Sequence, residues 1–291
     1  MSAVVFDRAL YRRRLGRALS AGYPDFLLTR VAEDLDERLS TVLRRFDVAL
    51  DAGTPLPVAA PALASRSGTI LRLAETAAPG ASLVGDLEAL PLAPASLDLA
   101  VSLLALHAVN DLPGALIQLR RALKPDGLFV GCLLGGQSLG ELRQVLLAAD
   151  VEVTGGASPR VSPFADLRDC GGLLQRAGFA LPVVDSETVT VRYRDLFGLL
   201  GDLRAMGWAN ALVERSRRPL RRGVLLRASE LYAERFADPD GRLRASFEFV
   251  WLSGWAPHES QQKPLRPGSA RARLADALGV PERPAGEGGT P

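Results

Sequence analysis

Between residues 85 and 134 the apolar positions fall into two short continuous runs with an amphipathic stretch between them. Leu97-Asp98-Leu99-Ala100-Val101-Ser102-Leu103-Leu104 and Leu128-Phe129-Val130-Gly131-Cys132-Leu133-Leu134 have the length and near-unbroken hydrophobicity of strands covered on both faces. In the intervening stretch Leu116, Leu119, Ala122 and Leu123 recur at helical spacing, with Gln118, Arg120, Arg121 and Lys124 on the wet side. Asn110-Asp111 offers an N-cap, and Pro113 falls in the first turn, where its missing N–H costs nothing. Pro125-Asp126-Gly127 stops the helix. Strand, helix and strand predict a βαβ unit of a parallel sheet.

The same patterning extends outward. Met1 to Gly22 reads as a basic arm, and Pro24-Asp25 opens a helix to about Arg44, with Leu27, Val31, Leu35, Leu39 and Val42 along one side. Strands are expected at residues 46–53, 68–73 and 81–85, followed by the central unit. A helix over residues 138–151 presents Leu139, Leu142, Leu146 and Ala149 on one face, and Ser162-Pro163 caps a further helix to Ala177, ended by Gly178. Residues 183–193 alternate as a strand, residues 195–206 and 220–231 read as helices, and Ala245, Phe247, Phe249 and Trp251 alternate in a last strand ending near Trp255. The expected division is an N-terminal arm and helix (1–44), an α/β domain (45–255) with a helical insertion (194–240), and a tail (256–291) that is disordered from about residue 281.

Composition narrows the field. A length of 291 residues, 47% hydrophobic and 23% charged, suits one elaborated α/β domain. A net charge of +2 points to no nucleic-acid partner. Of 35 basic residues only Lys124 and Lys263 are lysines, a skew read as coding bias; Arg12-Arg13-Arg14 with Arg17, and residues 215–222 (RSRRPLRR), read first as solvated helix faces. Cys132 and Cys170, far apart in apolar surroundings, fit buried free thiols of a reducing compartment. With only His107 and His258, no metal cluster is expected. No apolar run is long enough to span a membrane, and the arginine-rich start lacks the apolar core of a leader, so a cytoplasmic protein is expected.

Three segments carry a resemblance. Asp86-Leu87-Glu88-Ala89-Leu90-Pro91-Leu92, Leu97-Asp98-Leu99-Ala100 and Leu123-Lys124-Pro125-Asp126-Gly127 resemble, in order and spacing, the middle of class I S-adenosylmethionine-dependent methyltransferases. The resemblance implies a Rossmann-like, seven-stranded, mostly parallel sheet with helices on both faces and a helical insertion between the last two strands. It implies S-adenosyl-L-methionine as cofactor, held at Asp51, Gly53, Glu75, Asp86, Leu87 and Ser102. One landmark departs from the family. Where the family has three spaced glycines after the first strand, this chain reads Asp51-Ala52-Gly53-Thr54-Pro55-Leu56-Pro57. Proline fixes φ and removes an N–H, so Pro55 and Pro57 alter the loop's shape and donors and count against tight cofactor binding.

Further segments narrow the match. Phe6-Asp7-Arg8, residues 102–113 (SLLALHAVNDLP), residues 155–164 (GGASPRVSPF), residues 202–207 (DLRAMG) and residues 254–261 (GWAPHESQ) resemble bacterial relatives of a mitochondrial respiratory complex I assembly factor, an arginine hydroxylase with the methyltransferase fold. The malonyl-carrier-protein methyltransferases are a more distant likeness. Three functions follow from the resemblance: methyl transfer through a rebuilt loop, hydroxylation of an arginine on a complex I subunit, or a non-catalytic assembly protein that has lost the cofactor. Class I methyl transfer rests on positioning and needs no fixed catalytic residue. His107, past the strand carrying Ser102, is the candidate base or substrate contact, although a structural loop histidine is the commoner use of such a position. Asn110 and Asp111 read as caps, and Trp255, His258 and Glu259-Ser260-Gln261 as either mouth-lining or tail-fixing residues.

Overall fold

In the computed structural model, which describes residues 4–262 and Gly279, a seven-stranded sheet forms as the hydrophobic pattern requires. Strands β1 (Phe46–Ala52), β2 (Ser67–Ala74), β3 (Leu83–Val84), β4 (Leu97–Leu103) and β5 (Leu123–Leu134) are parallel to one another, and β7 (Leu243–Trp255) pairs antiparallel with both β5 and β6 (Ala180–Tyr193). The order across the sheet is β3-β2-β1-β4-β5-β7-β6. The strand order reverses between parallel β1 and β4, and in such sheets ligands bind in the crevice beyond the carboxyl ends of the strands at this switch point.

The helices are α1 (Arg8–Ala21), α2 (Phe26–Ser40), α3 (Ala60–Ala64), α4 (Leu112–Ala122), α5 (Gly140–Thr154), α6 (Leu167–Arg176), α7 (Leu196–Ala205) and α8 (Arg222–Phe236). Alternate side chains of β5 serve opposite faces of the sheet. Leu128, Val130, Cys132 and Leu134 join the core under α1, α2, α5, α7 and α8, whereas Phe129 and Leu133 join the core under α4 and α6. Both cysteines are buried and free. The helical insertion, α7 and α8, lies between the last two strands as the pattern implied. No described helix is long and apolar enough to cross a membrane.

Asp98 and Lys124, two residues of the family motifs, hold the sheet together rather than reaching a ligand. Lys124 Nζ lies 2.9 and 3.0 Å from the Asp98 carboxylate oxygens, and the Val48 N–H donates to Asp98 Oδ2 at 3.0 Å. This cluster joins β1, β4 and β5 at their amino ends.

Several expectations need correction. The basic arm is α1, because Leu10, Tyr11, Leu15 and Ala18 form a buried stripe among its five arginines, and the Asp7 carboxylate accepts from the Leu10 N–H at 3.0 Å as N-cap. The helix expected from Ser162 starts at Leu167, since Asp166 is the residue that caps it, accepting from the Arg168 N–H at 2.9 Å. Helix α2 ends at Ser40. The expected turn at Pro125-Asp126-Gly127 is an irregular beginning of β5, with Asp126 at φ +62°. Trp255 pairs with Leu128, the first residue of the buried run of β5, so antiparallel β7 carries it to the edge of the sheet opposite the crevice. The disorder expected beyond residue 281 lies outside the described residues. The chain divides into one compact unit, Met1–Pro257, and a short second one, His258–Pro291, in which His258 Nδ1 lies 2.7 Å from Ser260 Oγ.

Gly207 fixes α1 against the end of α7: it has φ +74°, and an added Cβ would come 3.0 Å from Leu15 Cα. A side chain there incurs the left-handed penalty of about 1–2 kcal/mol plus that clash. Chemical denaturation of Gly207→Ala should show at least that loss. Gly201→Ala, in α7 where an added Cβ meets nothing within 4 Å, should be neutral or stabilising.

Candidate active site

Each strand end contributes one element to the crevice. From the end of β1 comes Asp51, 2% exposed, whose Oδ2 lies 3.5 Å from Arg72 Nε of β2. Burial pushes the Asp51 carboxyl up to about 7, with the Thr54 hydroxyl and the Arg72 guanidinium offsetting part of the effect. Arg72 Nη2 also donates to the carbonyls of Thr54 and Pro55, each at 2.8 Å. A guanidinium of the sheet thus holds the proline loop from within. Pro57 opens a single 3-10 turn, Pro57–Ala59, and α3 has only five residues; the connection from β1 to β2 is short because its helix is.

Gly53 is left-handed, at φ +78°. Its N–H donates to the Leu73 carbonyl at 2.8 Å. The side chain of Leu87, fully buried, lies over it: an added Cβ would come 2.7 Å from Leu87 Cδ1 and 3.1 Å from Ala105 Cβ. Ser102 braces the strands, its hydroxyl donating to the Ala52 carbonyl at 2.7 Å, while Thr54 Oγ1 accepts from the Leu103 N–H at 3.1 Å.

Beyond β2 and β3 stand Glu75, Asp86 and Glu88. Arg8, the first residue of α1, reaches among them. Its guanidinium pairs with Glu75 Oε1, lies 3.4 Å from Asp86 Oδ1 and 3.4 Å from Glu88 Oε2, and donates to the Ala108 carbonyl at 2.9 Å. Arg12, one helical turn on, pairs with Asp86 Oδ2. Burial pushes the Glu75 carboxyl upward, against the pull of Arg8, and Glu75 Oε2 is buried with no hydrogen-bond partner among the described residues. Asp86, despite partial burial, is held below the usual carboxylate range by Arg12, the Glu88 N–H and Arg8. The crevice is therefore lined by carboxylates and filled by the chain's own side chains.

The segment ahead of α1 is tied down along its length. Asn110 Oδ1 accepts from the N–H groups of Val5 and Phe6 at 2.8 and 2.7 Å, and Asn110 Nδ2 donates to the Phe6 carbonyl at 3.1 Å. Asp7 N–H donates to the Ala211 carbonyl at 2.8 Å, and Asp7 lies 3.1 Å from Arg215 of the insertion. Arg14 Nη1 donates to the Ala209 carbonyl at 2.9 Å. Asp111 is the N-cap of α4, as read, accepting from the Gly114 N–H at 2.9 Å; Asn110 instead fastens the N-terminal strap.

Beside the crevice a cavity of ≈ 60 Å³ is lined chiefly by Phe6, Tyr11, His107, Arg160, Phe164 and Trp208. The His107 ring meets Phe164 and Trp208 edge-on, with centroids 5.8 and 5.4 Å away. Burial, aided by the charge of Arg8, lowers the His107 pKa to about 3. A histidine that is neutral at all ordinary pH accepts or donates a hydrogen bond but is a poor general base. Its Nδ1 and Trp208 Nε1 are buried without a hydrogen-bond partner among the described residues.

The structure thus gathers Asp51, Gly53, Glu75, Asp86, Leu87 and Ser102 at one edge, with His107 next to them. Trp255 stands apart at the opposite edge. Arg8, Arg72 and Trp208 escaped the sequence reading as site residues. Only the Phe6-Asp7-Arg8 segment had drawn notice, and nothing in its spacing placed Arg8 against Glu75.

Because the folded protein holds a proton on Asp51 that the unfolded chain releases in the usual carboxylate range, this group's contribution to stability falls as pH rises from that range to about 7. Denaturation of wild type and Asp51→Asn over that window should show the variant losing less stability as pH rises. Parallel profiles would contradict the assignment.

Comparisons with known proteins agree with the geometry. The family described as methyltransferase domain matches residues 64–131, a segment that begins after the proline loop. The arginine-hydroxylase NDUFAF5, mitochondrial, of Homo sapiens is 37% identical over 286 residues, covering 94% of this chain and 83% of that protein. Its Danio rerio counterpart is also 37% identical, covering 94% and 89%. The malonyl-[acyl-carrier protein] O-methyltransferase of Methylovorus sp. is 35% identical over 298 residues, covering 95% and 94%. Among solved structures, the YcgJ protein of Bacillus subtilis superposes with a TM-score of 0.53 at 13% identity, over 78% of this chain and 99% of that one, a likeness of fold. The chain belongs to the methyltransferase family that contains both the NDUFAF5 arginine-hydroxylases and the malonyl-[acyl-carrier protein] O-methyltransferases.

Proposed function

We propose that the crevice beyond β1 to β4 binds S-adenosyl-L-methionine and that the protein is a cytoplasmic methyltransferase acting on a protein-borne group, with a respiratory complex I subunit as its partner. The observation that carries this reading is Glu75: a carboxylate at the end of β2, buried, with Oε2 unpartnered among the described residues. Buried polar groups are ordinarily satisfied. A ligand bearing neighbouring hydroxyls would satisfy it.

In this reading Glu75 takes the ribose hydroxyls, Asp86 and Leu87 border the adenine end, and Asp51 with left-handed Gly53 receives the amino-acid end, with Ser102 bracing the strands beneath. The cofactor, when bound, supplies a methyl group already activated by its sulfonium, so the protein's task is alignment. His107, neutral and walled by Phe164 and Trp208, orients the substrate through a hydrogen bond rather than removing a proton. The partner assignment rests on the motif resemblance.

Two other readings have specific support. The crevice is filled by Arg8, Arg72 and Leu87, which favours an assembly protein without cofactor. The NDUFAF5 relatives are named for hydroxylating arginine, which favours oxygen rather than methyl transfer to the same partner. Mass spectrometry of the target separates methylation from hydroxylation.

Calorimetric titration with S-adenosylmethionine should give micromolar binding by the wild type and at least tenfold weaker binding by Asp86→Ala, a loss of about 1.4 kcal/mol. Folded wild-type protein that yields no binding at high ligand concentration, while a complex I subunit still co-purifies, would establish the scaffold reading instead.

A further inference from the structure

We propose that Arg8 is an intramolecular competitor for the cofactor crevice, so that the affinity of the site is set by how readily the N-terminal strap releases it. This rests on the reading of the crevice as a ligand site. The observations are independent of that reading. The Arg8 side chain is 10% exposed and the Glu75 side chain 1%. The guanidinium satisfies Glu75 Oε1, touches Asp86 and Glu88, and caps the Ala108 carbonyl. It also stands over the Tyr11 ring, 5.3 Å from its centroid. The two carboxylates assigned to the ribose and adenine ends are thus both engaged by α1, Glu75 by Arg8 and Asp86 by Arg8 and Arg12.

A planar guanidinium with its fork of donors presents a carboxylate with the same kind of partner that a pair of ribose hydroxyls would. With Arg8 on Oε1, Glu75 has only Oε2 to offer, so it cannot take both hydroxyls while Arg8 stays. Entry of the ligand therefore requires Arg8 to withdraw, and the obvious path is a movement of residues 5–12. That strap is held at points that can let go separately: Asn110 on the Val5 and Phe6 N–H groups, the Ala211 carbonyl on the Asp7 N–H, and Asp7 on Arg215. A ligand that binds only the open arrangement has its apparent affinity reduced by the fraction of molecules that are open. Minor states of this kind are about 0.1–10% populated, so relieving the competition should tighten binding by about tenfold or more.

The strap also couples the crevice to the insertion. Residues 5–7 pair with residues 211–213, and Trp208 and Phe6 line the cavity beside His107. A substrate or partner that shifts the 208–215 segment would therefore loosen Arg8 and raise cofactor affinity at the same time, and by linkage the cofactor would favour the same partner.

The test is calorimetric titration of the full-length wild type, Arg8→Ala and Asn110→Ala with S-adenosylhomocysteine, each variant first shown to unfold cooperatively. Asn110→Ala leaves every carboxylate and both arginines in place while freeing the strap, so it serves if Arg8→Ala fails to fold. The expected result is at least tenfold tighter binding by Arg8→Ala and a smaller gain by Asn110→Ala, with limited proteolysis near residue 8 accelerated by ligand in the wild type. Binding that is equal or weaker in the variants, beside measurable wild-type binding, overturns the competitor role and leaves the cofactor reading standing. Absence of binding in all three overturns both.

Discussion

The burial of Arg8 among Glu75, Asp86 and Glu88 is the constraint on which the rest of the site depends. Charges placed this far from water persist only when paired and hydrogen-bonded, and removing one partner costs more than the pair contributes. Everything nearby is arranged to keep the pairing. Asp7 caps the helix that starts with Arg8, Asn110 clamps the two residues before it, and Glu88 in turn accepts from the N–H groups of Asn110 and Asp111 at 2.6 and 2.8 Å. One network thereby joins the N-terminus, the loop after β3, the loop after β4 and the insertion.

A second buried pair, Asp51 with Arg72, plays the corresponding part under the proline loop. In a glycine-rich loop, backbone N–H groups face the ligand; here the visible hydrogen bonds run the other way, from Arg72 to the carbonyls of Thr54 and Pro55. Pro55, Pro57 and Arg72 together form one local solution. The prolines stiffen a loop that has fewer donors, and the guanidinium supplies the donors from below.

The sheet was legible because β4 and β5 are written as nearly unbroken apolar runs and the last two strands as alternating ones, and the residues closing β1 to β4 are named by the fold's topology. The capping of α4 by Asp111 and the placement of the insertion followed from the same local signals. The N-terminal helix was not legible: its stripe of Leu10, Tyr11, Leu15 and Ala18 is interleaved with arginines, and the partner that gives Arg8 its meaning, Glu75, lies far away in sequence. Arg72 was hidden in a strand for the same reason. Of the two readings open for Trp255, lining the mouth or fixing the tail, the antiparallel direction of β7 removes the first by sending it away from the crevice. Sequence periodicity reports which face a residue occupies; it carries no record of which distant charge will meet it.

Hydrogen–deuterium exchange of the full-length protein with and without saturating S-adenosylhomocysteine tests the account most directly. The account expects slower exchange in residues 51–54 and 86–88, where the ligand would sit, together with faster exchange in the first turn of α1, where Arg8 would be released. Protection of the crevice with α1 unchanged would contradict the competition between Arg8 and the ligand, and no change in any of these segments would contradict the ligand site itself.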